Sequence, residues 1–596
     1  MNTPSVFDSF NAKNLNAAQI AKTFVPPKQF NELIERKSSI LVGPRGSGKT
    51  TLMRMLEMET LKNWNNDGSK KFKNKIDFIG VFVPTDRIWR DQIEVLEKES
   101  SSDEIKKFIS NALFSSHILT RLCAAFIDRL RVDDSYNLTN FKSISLSRSS
   151  ESELVESLAL YWDVNPIRPT MKSLYDAVIR RWGESTTLMS RLSSMEKDEA
   201  NDFMKSLGES WHTNFRVFSE NSIRLFSNHC DTSDEIWAFL FDELELAPDI
   251  IISDLVELAR GASGKVLYKL SLAPYIPHIK IAGNMFSAMP GNDFQPIQLW
   301  YEKKDAELYD FFNQLVRQML IERGVEELDL EKVIDTPENI THNELFSKMW
   351  DVDTSLRELL KRKKISKDIS GLSEDKRSSV IRKIAPIVRV REAHLKASKD
   401  GRLMYKTLNR YPDYYGGVKS LAAILEGNPR WIIGVMSPLI KKYAETGEKI
   451  KLHDQVFEIN KTCQRYISLL KVIPCRFNPN QEPTGVNKLI DRIGSFFQKS
   501  IHMDKIELDN KNCFVIQKNI PKDIQVSLGA ALNAGALVYL SGTSSKFALN
   551  TLEDRVFRLS YLLAPKYKLP LSIHASGKLT EVLQGLEKMQ GDLLDE

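Results

Sequence analysis

The sequence predicts an α/β fold built on a parallel sheet, with a phosphate-binding loop in its first part and helical additions around it. Three observations carry this. Two short runs, Ser39-Ile40-Leu41-Val42 and Ile236-Trp237-Ala238-Phe239-Leu240-Phe241, have the near-continuous hydrophobicity of parallel strands covered on both faces. The first leads directly into Gly43-Pro44-Arg45-Gly46-Ser47-Gly48-Lys49-Thr50, which has phosphate-loop spacing. The second ends in Asp242-Glu243, acids at the carboxyl end of a strand, where such sheets hold ligands.

Each element has a chemical justification. The loop glycines let backbone N–H groups turn onto phosphates, Lys49 reaches the β and γ oxygens, and the Thr50 hydroxyl ligates Mg²⁺. Thr51 to Leu56 continues as a helix former with apolar residues at helical spacing. The chain is therefore expected to bind a nucleoside triphosphate, with Gly43 to Thr51 as its phosphate cradle. Ile76 to Val83 reads as a further core strand. At the end of the later strand, Asp242 is placed to hold Mg²⁺ and Glu243 to polarise the attacking water as general base. A helix over 250–260 with Gly261 as its stop precedes a strand over 265–271. Ser271 either senses the γ-phosphate there or is an ordinary strand-end polar group. Gly427-Asn428-Pro429-Arg430 reads as a turn opening a helix, with Asn428 as cap and Arg430 able to reach a phosphate across an interdomain cleft.

With 596 residues and 42% hydrophobic content, the chain has material for several domains with real cores. No apolar run approaches the ~20 residues of a membrane span, and the N-terminus lacks a secretory signature, so a cytoplasmic protein is expected. The five cysteines, Cys123, Cys230, Cys463, Cys475 and Cys513, show no CxxC pairing, which argues against a disulfide framework and a zinc site. His212, His229 and Cys230 are too irregular for a ligand set, so no metal besides Mg²⁺ is expected. The net charge of +5 is uneven: Arg357 to Arg410 holds 17 Lys/Arg against 6 Asp/Glu, +11, leaving −6 elsewhere. That block is either a nucleic-acid footprint or a solvated helical face.

The set GPRGSGKT, FLFDELELAP (Phe239 to Pro248), a polar residue ending the next strand, and GNPR resembles the AAA+ ATPases. More closely it resembles their bacterial Orc1/Cdc6-like branch, often found in mobile-element and antiphage defence neighbourhoods. The leader Phe24 to Phe30 is similar to that family's adenine-proximal segment, which implies Val25 and Pro26 beside the base. By position the resemblance implies Lys49 and Thr50 as Walker A, Asp242 and Glu243 as Walker B, Ser271 as sensor 1 and Arg430 as sensor 2. ATP and Mg²⁺ are the implied cofactors; DNA or another nucleic acid, an effector protein and a homo-oligomer are the implied partners. The motifs cover residues 10–60 and 235–440. The chain departs from the pattern in having no arginine between Gly261 and Val316, where a ring ATPase usually carries its finger, so Lys280, a partner or slow turnover must account for the difference. It departs again in the long interval from Lys49 to Asp242.

That interval places a helical insertion at residues 86–233 between core segments 1–85 and 234–320. Ser101-Ser102-Asp103-Glu104 reads as a capping box ahead of Ile105, Phe108, Ile109, Ala112 and Leu113 at helical spacing. Helical segments near 171–182 and 211–226 complete a subdomain that either binds a partner or braces the core. The basic block falls in the implied helical lid, 321–450, where Arg402, Tyr405, Arg410, Tyr411, Tyr414 and Tyr415 interleave aromatics with cations; the tyrosines suit either exposed bases or a core. In residues 451–596, helices near 454–470, 485–499 and 522–534 precede strands at 536–540 and 555–560, a winged-helix-like pattern that suits DNA or protein. The reading is an ATP-driven switch acting on nucleic acid or a nucleic-acid-bound partner. Its rival is a slow scaffold NTPase that assembles with a protein. No nuclease, polymerase or deaminase centre is legible.

Overall fold

The computed structural model describes residues 15–584 except 67, 86–102, 137, 261–263, 278–293, 303–305, 370–373, 399–402, 408–411, 476–483, 504 and 541–548. Strands β1 (Ser39–Val42), β2 (Phe78–Pro84), β3 (Ile236–Asp242), β4 (Val266–Leu272) and β5 (Gln295–Gln298) form one parallel sheet in the order β2-β3-β4-β1-β5. Every residue of β1, β3 and β4 is buried, as their apolar sequences require. Because β4 lies between β1 and β3, its carboxyl end separates the phosphate loop from the Asp242 end of β3. The helix expected over 250–260 runs Asp249–Arg260; its Gly261 stop, like Lys280, lies outside the described residues.

The insertion packs on this sheet. Its helix Asp103–Leu130 starts inside the expected box, at its third residue, and the box's two serines fall outside the described residues. Phe126 stacks on Phe226 at 4.2 Å and meets Trp237 of β3 edge-on at 5.2 Å. Arg129, fully buried, is bound by Glu235 just ahead of β3 and donates to the Lys142 carbonyl at 2.8 Å. A His117 ring nitrogen sits 3.0 Å from the Pro84 carbonyl at the end of β2. The inner part therefore braces the core, while Ile105, Ile109, Leu188 and Leu192 build a small separate core at the far end. The helix expected over 211–226 is broken, because Asn214 accepts from the Arg216 N–H at 2.9 Å and caps a new helix, Phe215–His229.

Helices Ala306–Glu322, Val418–Leu425 and Pro429–Thr446 share a single hydrophobic core with the C-terminal helices Leu452–Lys471, Val486–His502 and Lys522–Ala534. A short hairpin, β6 (Leu395–Ala397) with β7 (Leu403–Tyr405), and a small pair, β8 (Pro474–Cys475) with β9 (Thr484–Gly485), lie outside the larger sheets. Strands β10 (Lys511–Val515), β11 (Leu537–Leu540), β12 (Val556–Leu559) and β13 (Ala575–Lys578) form a second sheet in the order β11-β12-β10-β13. The two C-terminal strands expected as a wing do pair antiparallel, but inside this four-stranded sheet. Neither the short Lys511–Val515 nor Ala-Ser-Gly-Lys at 575–578 has a strand-like sequence; tertiary pairing makes them strands. Tyr415 is a core residue, its hydroxyl 3.1 Å from both the Ala564 and Leu569 carbonyls, and the half-buried Tyr414 packs against that core with its hydroxyl accepting the Leu571 N–H at 3.3 Å. Tyr405 is half-buried under the Lys568 ammonium, 3.6 Å from its ring centroid, whereas Arg402, Arg410 and Tyr411 lie outside the described residues. All five cysteines are buried free thiols.

Candidate nucleotide site

The site begins where β1 gives way to the loop. Gly46 and Gly48 take φ of 87° and 92°, the left-handed region that glycine enters without strain. A Cβ on Gly46 would lie 2.9 Å from Asn428 Oδ1 and 3.0 Å from Arg430 Cβ, so the loop and the GNPR turn pack together only because no side chain intervenes. Helix Lys49–Arg54 follows, and its first turn aims N–H groups at the loop. Lys49 Nζ donates to the Gly43 carbonyl at 2.6 Å and lies 3.9 Å from Glu245 Oε1. Ser47 Oγ is buried with no hydrogen-bond partner, a polar atom suited to a bound phosphate oxygen.

Asp242 is fully buried and joins the strands' carboxyl ends. Thr50 Oγ1 donates to its Oδ2 at 2.6 Å and Ser271 Oγ to its Oδ1 at 2.8 Å. Thr85 holds the Asp242 carbonyl with both its N–H, at 3.0 Å, and its hydroxyl, at 2.9 Å. Burial pushes the Asp242 carboxyl above the usual carboxylate range, opposed by the Thr50 and Ser271 hydroxyls and the Lys49 charge. A divalent cation suits this pair: Thr50 and Asp242 offer hard oxygens, and ligand phosphates and water would complete the shell. No larger cluster of metal-ligating side chains occurs among the described residues.

Above this network lies a cavity of about 490 Å³ lined by the loop from Pro44 to Lys49, by Thr50, Thr51, Glu243, Glu245 and Arg430, but not by Gly43. Glu243 has φ 56°, a left-handed turn that ends the strand. Arg430 opens helix Pro429–Thr446, where Asn428 Oδ1 accepts its N–H at 3.1 Å and Asn428 Nδ2 donates to the Arg45 carbonyl at 3.3 Å. Burial and the facing Arg45 lower the Arg430 pKa, while Glu243 opposes them. The other wall is apolar, from Phe24, Val25, Pro27, Phe311, Leu315 and Ile433. Pro26 is not among the lining residues, and neither Asp242, fully buried beneath Thr50, nor Ser271 bonded to it reaches the cavity wall.

Several contributors were not singled out by pattern. Glu245 stands two residues beyond the strand-end acids on a short helical turn, and Tyr301 follows β5 into the cavity. Asn533 is more distant in sequence: its carbonyl accepts the Arg45 N–H at 2.9 Å, and its side chain exchanges hydrogen bonds with the Tyr275 backbone at 2.8 and 2.9 Å. The C-terminal region thus touches the phosphate loop and the segment after β4 together.

No described helix is long and apolar enough to cross a membrane. Comparison with curated proteins and with solved structures found no match. The family model described as ORC-CDC6-like matches residues 5–579, nearly the whole chain, and its AAA+ character agrees with the parallel sheet and the loop at its edge. On that match this chain belongs to the ORC-CDC6-like family.

Proposed function

We propose that the protein is an ATP-hydrolysing switch that acts on DNA or on a nucleic-acid-bound partner, in an antiphage setting. The supporting observation is the joined Thr50–Asp242–Ser271 network beneath a cavity that also receives Lys49, Glu243 and Arg430. The apolar wall takes the base and the loop takes the phosphates. Lys49 exchanges the Gly43 carbonyl for phosphate oxygens, and Ser47 finds its missing partner there. Thr50 and Asp242 would hold Mg²⁺, which when bound would supply charge neutralisation at the phosphates. Glu243 accepts a proton from the attacking water, and Arg430 faces the developing charge from the lid side. Ser271 positions Asp242, so its influence on the phosphates is indirect.

ATP turnover by the full chain, measured with and without single- and double-stranded DNA at two salt concentrations, tests this reading. DNA-stimulated turnover that fades with salt and is absent from Glu243→Gln is the expected result. Slow turnover indifferent to DNA would favour the scaffold reading, in which the protein assembles with a partner. The lack of an arginine between Gly261 and Val316 supports that alternative.

A further inference from the structure

Residues 342–405 form a small unit inside the lid with a core of their own. Helices His342–Val352, Thr354–Arg362 and Glu374–His394 pack around Leu345, Phe346, Leu356, Leu360, Ile384 and Val388, and Ile506 is the C-terminal region's contribution. Asp353 alone makes the turn between the first two helices. It is buried, caps the second by accepting the Leu356 N–H at 3.1 Å, and accepts from the buried Arg391 guanidinium at 2.9 Å. Arg391 also donates to the Ile501 carbonyl at 2.5 Å, so the third helix is pinned to the turn beneath it and to the body of the protein. The β6–β7 hairpin follows that helix at once, and the Lys406 N–H closes onto the His394 carbonyl at 2.8 Å.

The outer surface of this unit is cationic. Arg382 and Arg389 are exposed on the third helix at a spacing of two turns, hence on one face. Lys396 is exposed on β6, and Lys361, Lys363 and Lys364 are exposed at the end of the second helix. Nearby Arg362, Lys367 and Lys406 are engaged by Glu507, Asp351 and Glu392, whereas those six cations form no ion pair among the described residues. Among the side chains described in the unit, Met404, 46% exposed, is the one large apolar group displayed, so the described surface is dominated by cations and not by apolar anchors.

We infer that this unit binds duplex nucleic acid along its backbone, with Arg382 and Arg389 of helix Glu374–His394 and Lys396 of β6 set against phosphates. Exposed cations two turns apart on one helix face match backbone phosphates, contacts that position a duplex without reading its bases. The inference rests on the nucleic-acid reading above and moves the contact away from the C-terminal sheet, where Arg558 of β12 is buried against Glu426.

Anisotropy titration of a mixed-sequence DNA duplex with the full-length chain, between about 50 and 200 mM salt, tests it. The variants are R382E/R389E, K396E, and K471E/K522E, the last reversing exposed cations of the C-terminal region; melting temperatures check their folding. R382E/R389E is expected to weaken binding at least about 10-fold and to flatten the salt slope by about 2, one per lost phosphate contact. K396E should give a smaller loss and K471E/K522E near-native binding. Undiminished binding by R382E/R389E and K396E overturns the inference and leaves the nucleic-acid reading standing. Absence of salt-sensitive binding by the native chain overturns both.

Discussion

On the proposed reading, Lys49 and Glu243 divide the work of the site in a way that single substitutions separate. Lys49→Ala removes the cation that the loop delivers to the phosphates, so calorimetry should detect no ATP binding. Glu243→Gln keeps the shape and loses the base, so ATP should bind with turnover lower by about 10²-fold or more. Glu245 also lines the cavity, 3.9 Å from Lys49, and Glu245→Gln should cost turnover less than Glu243→Gln; the reverse order would reassign the base. The phosphate-loop and strand-end residues were legible because their chemistry demands fixed residue types at fixed local spacing. Thr85, Tyr301 and Asn533 were not, because each arrives from another element and has no motif of its own.

Among elements, helix Lys522–Ala534 shows how local preference yields to packing. Alanine ordinarily stabilises a helix interior by about 1 kcal/mol over glycine. At Gly529, however, a Cβ would lie 1.9 Å from Tyr275 Cδ1, where the segment after β4 rests on the helix. Gly529→Ala should therefore lower the melting temperature and loosen Asn533 from the Tyr275 backbone and the phosphate loop. A raised melting temperature would mean that this docking is not tight. A helix near 522–534 was legible in the sequence, and it runs Lys522–Ala534. What it packs against was not, since nothing in the sequence around Gly529 refers to Tyr275.

For the whole molecule, a buried ion pair joins the lid to the C-terminal sheet. Glu426, at the end of helix Val418–Leu425, binds Arg558 of β12 and accepts the Ser560 hydroxyl at 2.6 Å. Glu426→Ala should cost about 3–5 kcal/mol by stranding a buried charge, and the double variant Glu426→Ala/Arg558→Met should recover much of it. Chemical denaturation that shows simple additivity would exclude the coupling. Acid should act at a second junction. Burial holds His394 down to about 4 and His502 to about 3, with Lys568 and Lys406, and Lys568 and Arg391, adding to the effect on each. An unfolded imidazole titrates near 6.5, so below that pH the unfolded chain binds more protons and stability falls toward the folded values. The loss at pH 5 should be about 2 kcal/mol for each ring, visible as a melting temperature that drops between pH 7 and 5 and less so in His394→Gln/His502→Gln. Local patterning was sufficient for β1 to β4, the phosphate loop, the strand-end acids, the GNPR cap and some of the helices, because apolar periodicity, glycine placement and capping act over a few residues. Tertiary contact alone decided that the insertion braces the sheet, that Ser271 reaches Asp242, that the supposed wing lies inside a larger sheet, and that the basic block belongs to a separate unit. Those outcomes depend on which buried surfaces and polar groups find partners from about thirty to more than a hundred residues away, and that choice is made by the folded whole.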